Sequence, residues 1–187
     1  MKLVVAITGA SGAIYGVRLL YALKTLGIER HVILSKAGEM TLKYETGMDS
    51  SSIKELASRY YDESEIDAPI SSGSFKTEGM IIAPCSTKSL ASIAHGLEIN
   101  LTSRAAMVTL KERRRLLLLL RETPLTIIHI KNMLAAAEAG AIIMPASPSF
   151  YSKPKTIEQM VDQTVGRILD LFGVEHQLVK RWKGKEE

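Results

Sequence analysis

Short apolar segments alternate along this chain with longer stretches of helical pattern. The apolar segments have the length of strands and cover residues 2–8, 31–34, 80–83, 116–120 and 141–144. Between and after them lie six predicted helices, over residues 11–26, 36–66, 87–95, 101–110, 127–139 and 157–172. A chain that alternates strand and helix in this way predicts an α/β fold, with an open parallel sheet covered by helices on both faces.

Glycines and prolines separate the predicted elements. Gly27 and Gly140 follow the first and the fifth predicted helix, in the position where glycine commonly ends a helix. Residues 67–79 contain a proline and two glycines, and residues 145–155 contain three prolines. Both stretches are therefore predicted as loops.

The composition indicates one folded, intracellular domain. The 187 residues are 46% apolar, which is enough for a core and too much for extended disorder. We expect residues 1–173 to form the domain and residues 174–187 a basic tail, whose Trp182 packs it down or contacts a neighbouring subunit. Cys85 is the single cysteine, which excludes an internal disulfide and is typical of the reducing cytoplasm. No segment has the pattern of a membrane span or a secretory signal.

The net charge of +4 is a mild excess of basic residues. It does not indicate a nucleic-acid partner, but it suits a small anionic ligand. Residues that bind such a ligand are expected at the ends of the predicted strands.

In an open parallel sheet, ligands bind beyond the carboxyl ends of the strands. Each of the five carboxyl-end loops carries glycine, small hydroxyl residues or a charged group; the loops are residues 8–13, 35–36, 84–89, 121–124 and 145–151. Ordinary turns and helix caps explain any one of them. The agreement of all five favours a ligand site at this edge of the sheet.

The first loop, residues 8–13, combines small residues with a helix start, which is a moderately specific signal for a bound phosphate. It lacks the Lys-Ser/Thr ending of a nucleoside triphosphate loop. It resembles the start of some NADP-dependent reductases, but Ser35 ends the second strand where an acidic residue would hold a ribose. The spacing from Tyr151 to Lys155 also contains Pro154, which disfavours the helical turn that a catalytic Tyr–Lys pair needs.

The third loop places side-chain donors in a row at a helix start, and they are Ser86, Thr87, Lys88 and Ser89. They indicate either a second phosphate or flavin-edge site or simple helix capping. Cys85 has no partnered base near it in the sequence, so we interpret it as a buried thiol rather than a nucleophile. His95 and His129 lack metal-ligand spacing and are interpreted as structural or surface residues.

Arg104 and Lys111 are seven residues apart on a predicted helix, so both point the same way. Two cations on one face bind a phosphate or form a solvated face, and the residues alone leave both possibilities open. Lys111 comes just before the fourth predicted strand, which places it at the amino edge of the sheet. It can reach a carboxyl-edge site only in a neighbouring subunit, which hints at an active site between subunits.

Six segments carry a resemblance to a known family. They are ITGASGAIYGVRLL (7–20), LSKAGE (34–39), GMIIAPCSTKSLASIAHG (79–96), RAAMVTLKERR (104–114), RETPLTIIHIKNM (121–133) and GAIIMPASPSFYSKPKTIEQMVD (140–162). Through these segments the chain resembles the UbiX/Pad family of flavin prenyltransferases over most of residues 3–172. The chain departs from the family at Ile99 and Met107, where many members have Asp. We expect these changes to affect oligomer packing more than chemistry.

The resemblance implies a flavodoxin-like, Rossmann-like fold in a homo-oligomer, commonly a dodecamer, with active sites at subunit interfaces. It implies that a dimethylallyl group passes from dimethylallyl phosphate to N5 and C6 of reduced FMN, without a metal. The prenylated FMN then serves a UbiD-type decarboxylase, often in ubiquinone biosynthesis or aromatic-acid metabolism.

The same resemblance assigns roles to individual residues. The residues implied to contact FMN are Gly9, Ala10, Ser11, Ser35, Ser86, Thr87, Lys88, Ser89 and Arg121. The residues implied to contact the prenyl phosphate are Arg104, Lys111, Tyr151 and Arg167. The implied catalytic residues are Ser11, Glu45, Glu122, Lys111 and Arg104. Ser11 is expected to hydrogen-bond near N5, and Glu122 or the departing phosphate to accept the proton lost from C6.

Two other functions fit many of the same residues. An FMN-dependent decarboxylase of aromatic acids or of the cysteine type would retain FMN as a redox cofactor. The cysteine decarboxylases share the fold, but their PASANT-like segment and catalytic histidine are not found in this sequence. A flavin-binding delivery protein would bind FMN without forming a product. The four residues implied for the prenyl phosphate favour chemistry on a second phosphate over delivery.

Overall fold

Six parallel strands form one sheet in the computed structural model, which describes residues 1–179. The strands are β1 (Lys2–Ile7), β2 (Glu29–Leu34), β3 (Arg59–Asp62), β4 (Gly79–Cys85), β5 (Arg115–Leu120) and β6 (Ile142–Pro145). Their order across the sheet is β3-β2-β1-β4-β5-β6, and all neighbouring strands are parallel. This is the order of doubly wound Rossmann sheets, and without β3 it is the flavodoxin-like order. The predicted fold class is confirmed.

The helices follow the predicted positions to within a few residues, apart from the second. They are α1 (Ala13–Thr25), α2 (Lys36–Thr46), α3 (Ser50–Leu56), α4 (Thr87–Ala94), α5 (Leu101–Lys111), α6 (Ile127–Glu138) and α7 (Ile157–Leu171). Gly27 and Gly140 lie just beyond α1 and α6 with positive φ angles, as predicted for residues that end helices. Among residues 1–179, no helix combines the length and the apolar character needed to cross a membrane.

The central strands are apolar on both faces because helices cover both faces of the sheet. All of β4 is buried, and β5 is buried from Leu116 onward. The chain leaves β1 in one direction to form β2 and leaves β4 in the other direction to form β5. Right-handed crossovers in opposite directions place their helices on opposite faces, which explains the unbroken apolar runs.

The prediction of one helix over residues 36–66 was wrong beyond residue 56. Gly47 adopts φ 70° and ends α2, and Asp49 then caps α3 by accepting hydrogen bonds from the Ser51 and Ser52 amides. The strand β3 follows at the edge of the sheet, with Tyr61 buried. Polar residues surround this short strand, so its alternating pattern is too weak to be distinguished from a helix in the sequence.

The chain divides into two units, Met1–Ala146 and a second unit that begins at Ser147. In the second unit, Gln163 accepts a hydrogen bond from Ser149 Oγ at 2.5 Å and donates one to Ser152. Thr156 caps α7 by accepting the Gln159 amide at 3.2 Å. The predicted tail from residue 180 onward, with Trp182, lies outside the described residues.

Candidate functional site

A cavity of about 190 Å³ opens at the carboxyl edge of the sheet. It lies beside the ends of β1 and β4, the two strands between which the order of the sheet reverses, and ligands of open α/β sheets bind at that point. The residues that line it are Thr8, Gly9, Ser35, Ala37, Glu63, Ser86, Lys88, Ser89, Ser92, Ile99, Asn100, Thr102 and Ser103. Hydroxyl and amide side chains predominate, so the wall suits a polar ligand.

Thr8 joins the two loops that form the base of this cavity. Its Oγ1 donates to the Pro84 carbonyl at 2.7 Å and accepts the Ser86 amide at 2.9 Å. The Thr8 amide also donates to the Pro84 carbonyl at 3.3 Å. Because Thr8 is buried and uses both functions of its hydroxyl, it fixes the position of Ser86 relative to β1.

Three helices begin at the cavity wall, and serines cap two of them. Ser35 caps α2, where its Oγ accepts the Gly38 amide at 3.0 Å, and Ser86 caps α4, where its Oγ accepts the Ser89 amide at 3.2 Å. The capping interpretation of these serines is therefore correct, and it is compatible with a ligand-binding role. Helix N-termini carry partial positive charge, so two of them beside Lys88 favour an anion in the cavity.

Glu63 also lines the cavity. One carboxylate oxygen, Oε1, accepts the Lys36 amide at 3.1 Å, and the other, Oε2, accepts Asn100 Nδ2 at 3.0 Å. Asn100 in turn caps α5 by accepting the Ser103 amide at 3.0 Å. Glu63 thus links the starts of α2 and α5, and each of its carboxylate oxygens accepts a hydrogen bond from one of these two helix starts.

The start of α1 differs from the sequence-based prediction. The amides of Gly12 and Ala13, in the loop whose pattern indicates a bound phosphate, donate to the carboxylate of Glu45 at 2.8–3.0 Å. Gly12 has φ 102°, a conformation that favours glycine. A carboxylate from α2 therefore takes the position predicted for the phosphate, and it brings Glu45 next to Ser11.

Arg121 and Glu122 lie where predicted, in the loop after β5, and both are exposed. The Arg121 amide donates to the Cys85 carbonyl at 3.3 Å, and Glu122 Oε1 accepts the Thr123 amide at 2.9 Å. The cavity wall does not include Ala10, Ser11, Thr87 or Arg121, although all four follow strands at the same edge of the sheet, three of them in loops and Thr87 at the start of α4. Of the residues predicted to contact FMN, those that line it are Gly9, Ser35, Ser86, Lys88 and Ser89.

Arg104 and Lys111 have partners close to them in the chain. Arg104 pairs with Glu98, and its Nε donates to the Ser71 carbonyl at 3.3 Å. Lys111 Nζ lies 2.8 Å from Glu112 Oε1, and this contact lowers the pKa of the Glu112 carboxyl. Lys111 ends α5 before β5 begins, so it lies at the amino edge of the sheet as predicted.

The other two residues predicted for the prenyl phosphate belong to the second unit. Tyr151 is exposed in the loop before α7. Arg167 lies on α7, where its Nη1 is 3.0 Å from Asp170 Oδ2 and its side chain is 61% exposed. A pocket formed by these two residues with Arg104 and Lys111 stays a prediction.

Cys85 is fully buried, and desolvation raises the pKa of its thiol to about 12. A nucleophilic cysteine needs a lowered pKa, so the interpretation as a buried thiol is confirmed. His95 Nε2 is 3.1 Å from Asn132 Oδ1, and His129 Nδ1 accepts the Thr126 amide at 3.2 Å. Both histidines therefore have structural partners. Within residues 1–179, no cluster of three or more His, Cys, Asp or Glu side chains is arranged to hold a metal.

Sequence reasoning did not find several residues of the cavity wall. Glu63 follows β3, so the rule of carboxyl-end loops would have selected it had that strand been recognised. Asn100, Thr102 and Ser103 begin α5, which no strand immediately precedes. Oγ1 of Thr102 is buried and has no hydrogen-bond partner among the described residues, a feature that only a three-dimensional structure reveals.

We expect Thr8→Val to lower the free energy of unfolding by about 1–3 kcal/mol, because valine keeps the shape but leaves the Ser86 amide without its acceptor and the Pro84 carbonyl with only the backbone amide of residue 8 as a donor. Urea denaturation measures this change. Thr8→Ser keeps the hydroxyl and is the matched control. It should retain most of the stability that Thr8→Val loses. Equal stability of the valine and serine variants would show that the hydroxyl does not hold the loop.

The chain matches the family model described as Flavoprotein over residues 1–179. It is 52% identical to a UbiX-like flavin prenyltransferase of Bacillus subtilis (strain 168), over 100% of this chain and 92% of that protein. A crystal structure of AnUbiX (PadA1) in complex with FMN and dimethylallyl pyrophosphate superposes with a TM-score of 0.97. That protein is 49% identical, and the match covers 99% of this chain and 98% of the other.

A second solved structure is that of a dodecameric FMN-dependent UbiX-like decarboxylase from Escherichia coli O157:H7. It superposes with a TM-score of 0.96 at 45% identity and covers 98% of this chain and 100% of that chain. Identities of this size over whole chains agree with the motif segments and with the carboxyl-edge cavity. The chain therefore belongs to the flavoprotein family and, within it, to the UbiX-type flavin prenyltransferases.

Proposed function

We propose that this chain transfers a dimethylallyl group from dimethylallyl phosphate to N5 and C6 of reduced FMN and releases prenylated FMN and phosphate. The observation that carries the proposal is the cavity at the β1–β4 switch point. It lies in a chain 49% identical to a protein crystallised with FMN and dimethylallyl pyrophosphate. The family model extends through both units, which supports one functional domain over residues 1–173.

The cavity residues fit the polar part of a flavin mononucleotide. Ser35 and Ser86 bring two helix N-termini to the wall, Lys88 adds a positive charge, and Ser89 adds a hydroxyl. The buried, unpartnered Oγ1 of Thr102 lies in the same wall and is satisfied if a ligand or a water reaches it. We assign these residues to the phosphate and ribityl groups. Gly9, Ala10, Ser11 and Arg121 would contact the rest of FMN from the neighbouring loops.

The reaction needs a stabilised leaving group and a proton acceptor. Departure of the allylic phosphate builds negative charge, which fixed cations and a tyrosine hydroxyl stabilise. We assign that role to Arg104, Lys111, Tyr151 and Arg167. Glu122 would accept the proton lost from C6, because it is an exposed carboxylate at the carboxyl edge of the sheet.

Ser11 and Glu45 would complete the site at the start of α1. The Gly12 and Ala13 amides hold the Glu45 carboxylate in one orientation. Ser11, directly before them, would hydrogen-bond near N5 of the flavin. In this proposal the Glu45 carboxylate would lie beside the reacting ring, and the cavity would take the phosphate of FMN.

A homo-oligomer is part of this proposal, with the dodecamer as its expected form. The apolar side chains of α6 and the loop before it are 42–65% exposed in the single chain, and they are Leu125, Ile127, Ile128, Ile130 and Leu134. An exposed apolar surface of this kind is typical of a subunit interface. The E. coli relative is dodecameric. In such an assembly Lys111 of one subunit could reach the site of another.

We also propose that a UbiD-type decarboxylase receives the product and that both proteins work in the cytoplasm. The single, buried cysteine suits a reducing compartment. The product is a modified flavin, so its recipient belongs to the class of enzymes that bind prenylated FMN.

Mass spectrometry of the flavin tests the proposal. Reduced FMN, dimethylallyl phosphate and the protein are incubated under anaerobic conditions. The flavin is then released from the protein, and its molecular mass is measured. We expect the flavin to gain one C5 unit, with release of inorganic phosphate. An unchanged flavin that stays bound would indicate a delivery protein. Decarboxylation of an added aromatic or cysteine substrate with unchanged FMN would indicate the redox alternative.

A further inference from the structure

We propose that Asp170 and His176 position the guanidinium of Arg167 for the prenyl phosphate, so that they act in the reaction through Arg167. This inference rests on the proposed function, which assigns Arg167 to the phosphate of the prenyl donor. The side chains of the three residues are linked by hydrogen bonds within the second unit. These bonds connect the buried imidazole of His176, through the Asp170 carboxylate, to the exposed guanidinium of Arg167.

The Asp170 carboxylate links the other two side chains. Its Oδ2 lies 3.0 Å from Arg167 Nη1, and its Oδ1 lies 3.2 Å from His176 Nε2. The Asp170 side chain is 15% exposed, that of His176 is 2% exposed, and that of Arg167 is 61% exposed. The carboxylate is thus held from the protein side by His176, and it holds the arginine on the solvent side.

The backbone fixes the orientation of His176. The Leu178 amide donates to His176 Nδ1 at 3.2 Å, so this nitrogen is an acceptor and Nε2 carries the hydrogen that points to Asp170. Gly166 makes room for the ring, because a Cβ at this position would lie 2.8 Å from His176 Cε1. Any larger residue at position 166 would therefore displace the imidazole.

Only the arginine of this ion pair is largely exposed, and solvent screening at its guanidinium limits what the pair contributes to stability. The buried imidazole of His176 satisfies one oxygen of this mostly buried carboxylate. The same contact fixes the direction of the other oxygen, and that oxygen holds one guanidinium in place. Arginine has five N–H donors in a rigid fork, and the contact with Asp170 uses one of them. The side chain remains accessible to bind phosphate oxygens.

Two opposing effects decide whether Asp170 strengthens or weakens binding of the prenyl donor. The Asp170 carboxylate repels a phosphate, but water and salt screen this repulsion to about twofold in affinity. Ordering a free arginine on binding costs about three- to tenfold, and the contact with Asp170 removes much of that cost before the ligand arrives. Positioning therefore outweighs repulsion, and loss of Asp170 is expected to weaken binding of the donor.

The test is a double-mutant cycle on Asp170→Asn and Arg167→Ala in the assembled, FMN-loaded protein. Calorimetry measures the Kd of dimethylallyl phosphate, and flavin fluorescence measures the Kd of FMN, so neither readout needs turnover. We expect Asp170→Asn to raise the donor Kd about three- to tenfold and to leave FMN binding unchanged. In the Arg167→Ala background, Asp170→Asn should have no further effect, because its role passes through Arg167.

Matched variants separate positioning from folding. Glu175→Gln changes an exposed carboxylate that directly precedes His176, and this variant should bind the donor like wild type. His176→Gln should also raise the Kd of the donor. If Asp170→Asn folds poorly, the donor Kd of His176→Gln tests the inference in its place.

The outcomes distinguish this inference from the proposed function. An unchanged donor Kd in Asp170→Asn, or effects of the two substitutions that simply add, would overturn the role of Asp170. An unchanged donor Kd in Arg167→Ala would overturn the inference too, even if C5 transfer to FMN occurs normally. Coupled effects on donor binding without any C5 transfer would support the inference and refute the proposed reaction.

Discussion

Glu122→Gln should keep FMN bound and slow the formation of prenylated FMN by about 10²–10⁴-fold, the usual contribution of a general acid–base group. Glutamine has the same shape and keeps an oxygen that can accept the Thr123 amide, as Glu122 does at 2.9 Å. It cannot accept the proton from C6 at neutral pH. The loop after β5 should therefore keep its conformation while the chemical step fails. Single-turnover prenylation measures the rate, and flavin fluorescence measures FMN affinity.

Glu138→Gln is a suitable control, because Glu138 is an exposed carboxylate at the other end of α6. It should react at the wild-type rate. If Glu122→Gln also reacts at the wild-type rate, the departing phosphate is the proton acceptor and Glu122 has no role in the chemistry. A slow variant that has also lost FMN affinity would place Glu122 in flavin binding instead.

The sheet could be predicted from the sequence because buried parallel strands are continuous apolar runs. The leucines of β5 and the start of β1 are clear examples, since both are buried throughout after their first residue. The edge strand β3 could not be predicted in the same way. Only half of an edge strand needs to be apolar, and its four residues include a single fully buried side chain, Tyr61.

In the candidate site, residues that directly follow a strand could be predicted from the sequence, whereas contacts between residues far apart in the sequence could not. Ser35 and Ser86 follow strands directly, so their place at the cavity could be inferred from the sequence. Glu45 came to attention only through family resemblance, because its contact with Gly12 joins residues 33 positions apart in the chain. No local pattern reports which carboxylate will occupy a helix N-terminus that far away. Such contacts depend on how α2 packs beside α1.

Lys111 and Glu122 show why one chain is insufficient for the proposed reaction. Lys111 precedes β5 and Glu122 follows it, so the whole strand separates them. The six residues of β5 span roughly 16 Å from first to last. Two side chains separated by that distance do not contact the same group of one ligand. This separation favours our proposal that the two residues act on one substrate from different subunits. We therefore expect a dissociated monomer to be inactive.

Mixed oligomers test this arrangement directly. Lys111→Ala and Glu122→Gln oligomers, each nearly inactive, are dissociated, mixed in equal amounts and allowed to reassociate. If every site takes Lys111 from one chain and Glu122 from another, random assembly restores about a quarter of the sites. Activity should rise to about a quarter of the wild-type value, with native mass spectrometry confirming that the chains have mixed.

A second mixture makes the result decisive. Wild type is mixed with the Lys111→Ala/Glu122→Gln double variant, again in equal amounts. A site within one chain would be intact in every wild-type subunit, so about half of the activity would remain. A site between subunits needs both contributors to be wild type, so about a quarter would remain. Half activity here, together with no recovery in the first mixture, would place Lys111 and Glu122 in one chain and contradict the interface site.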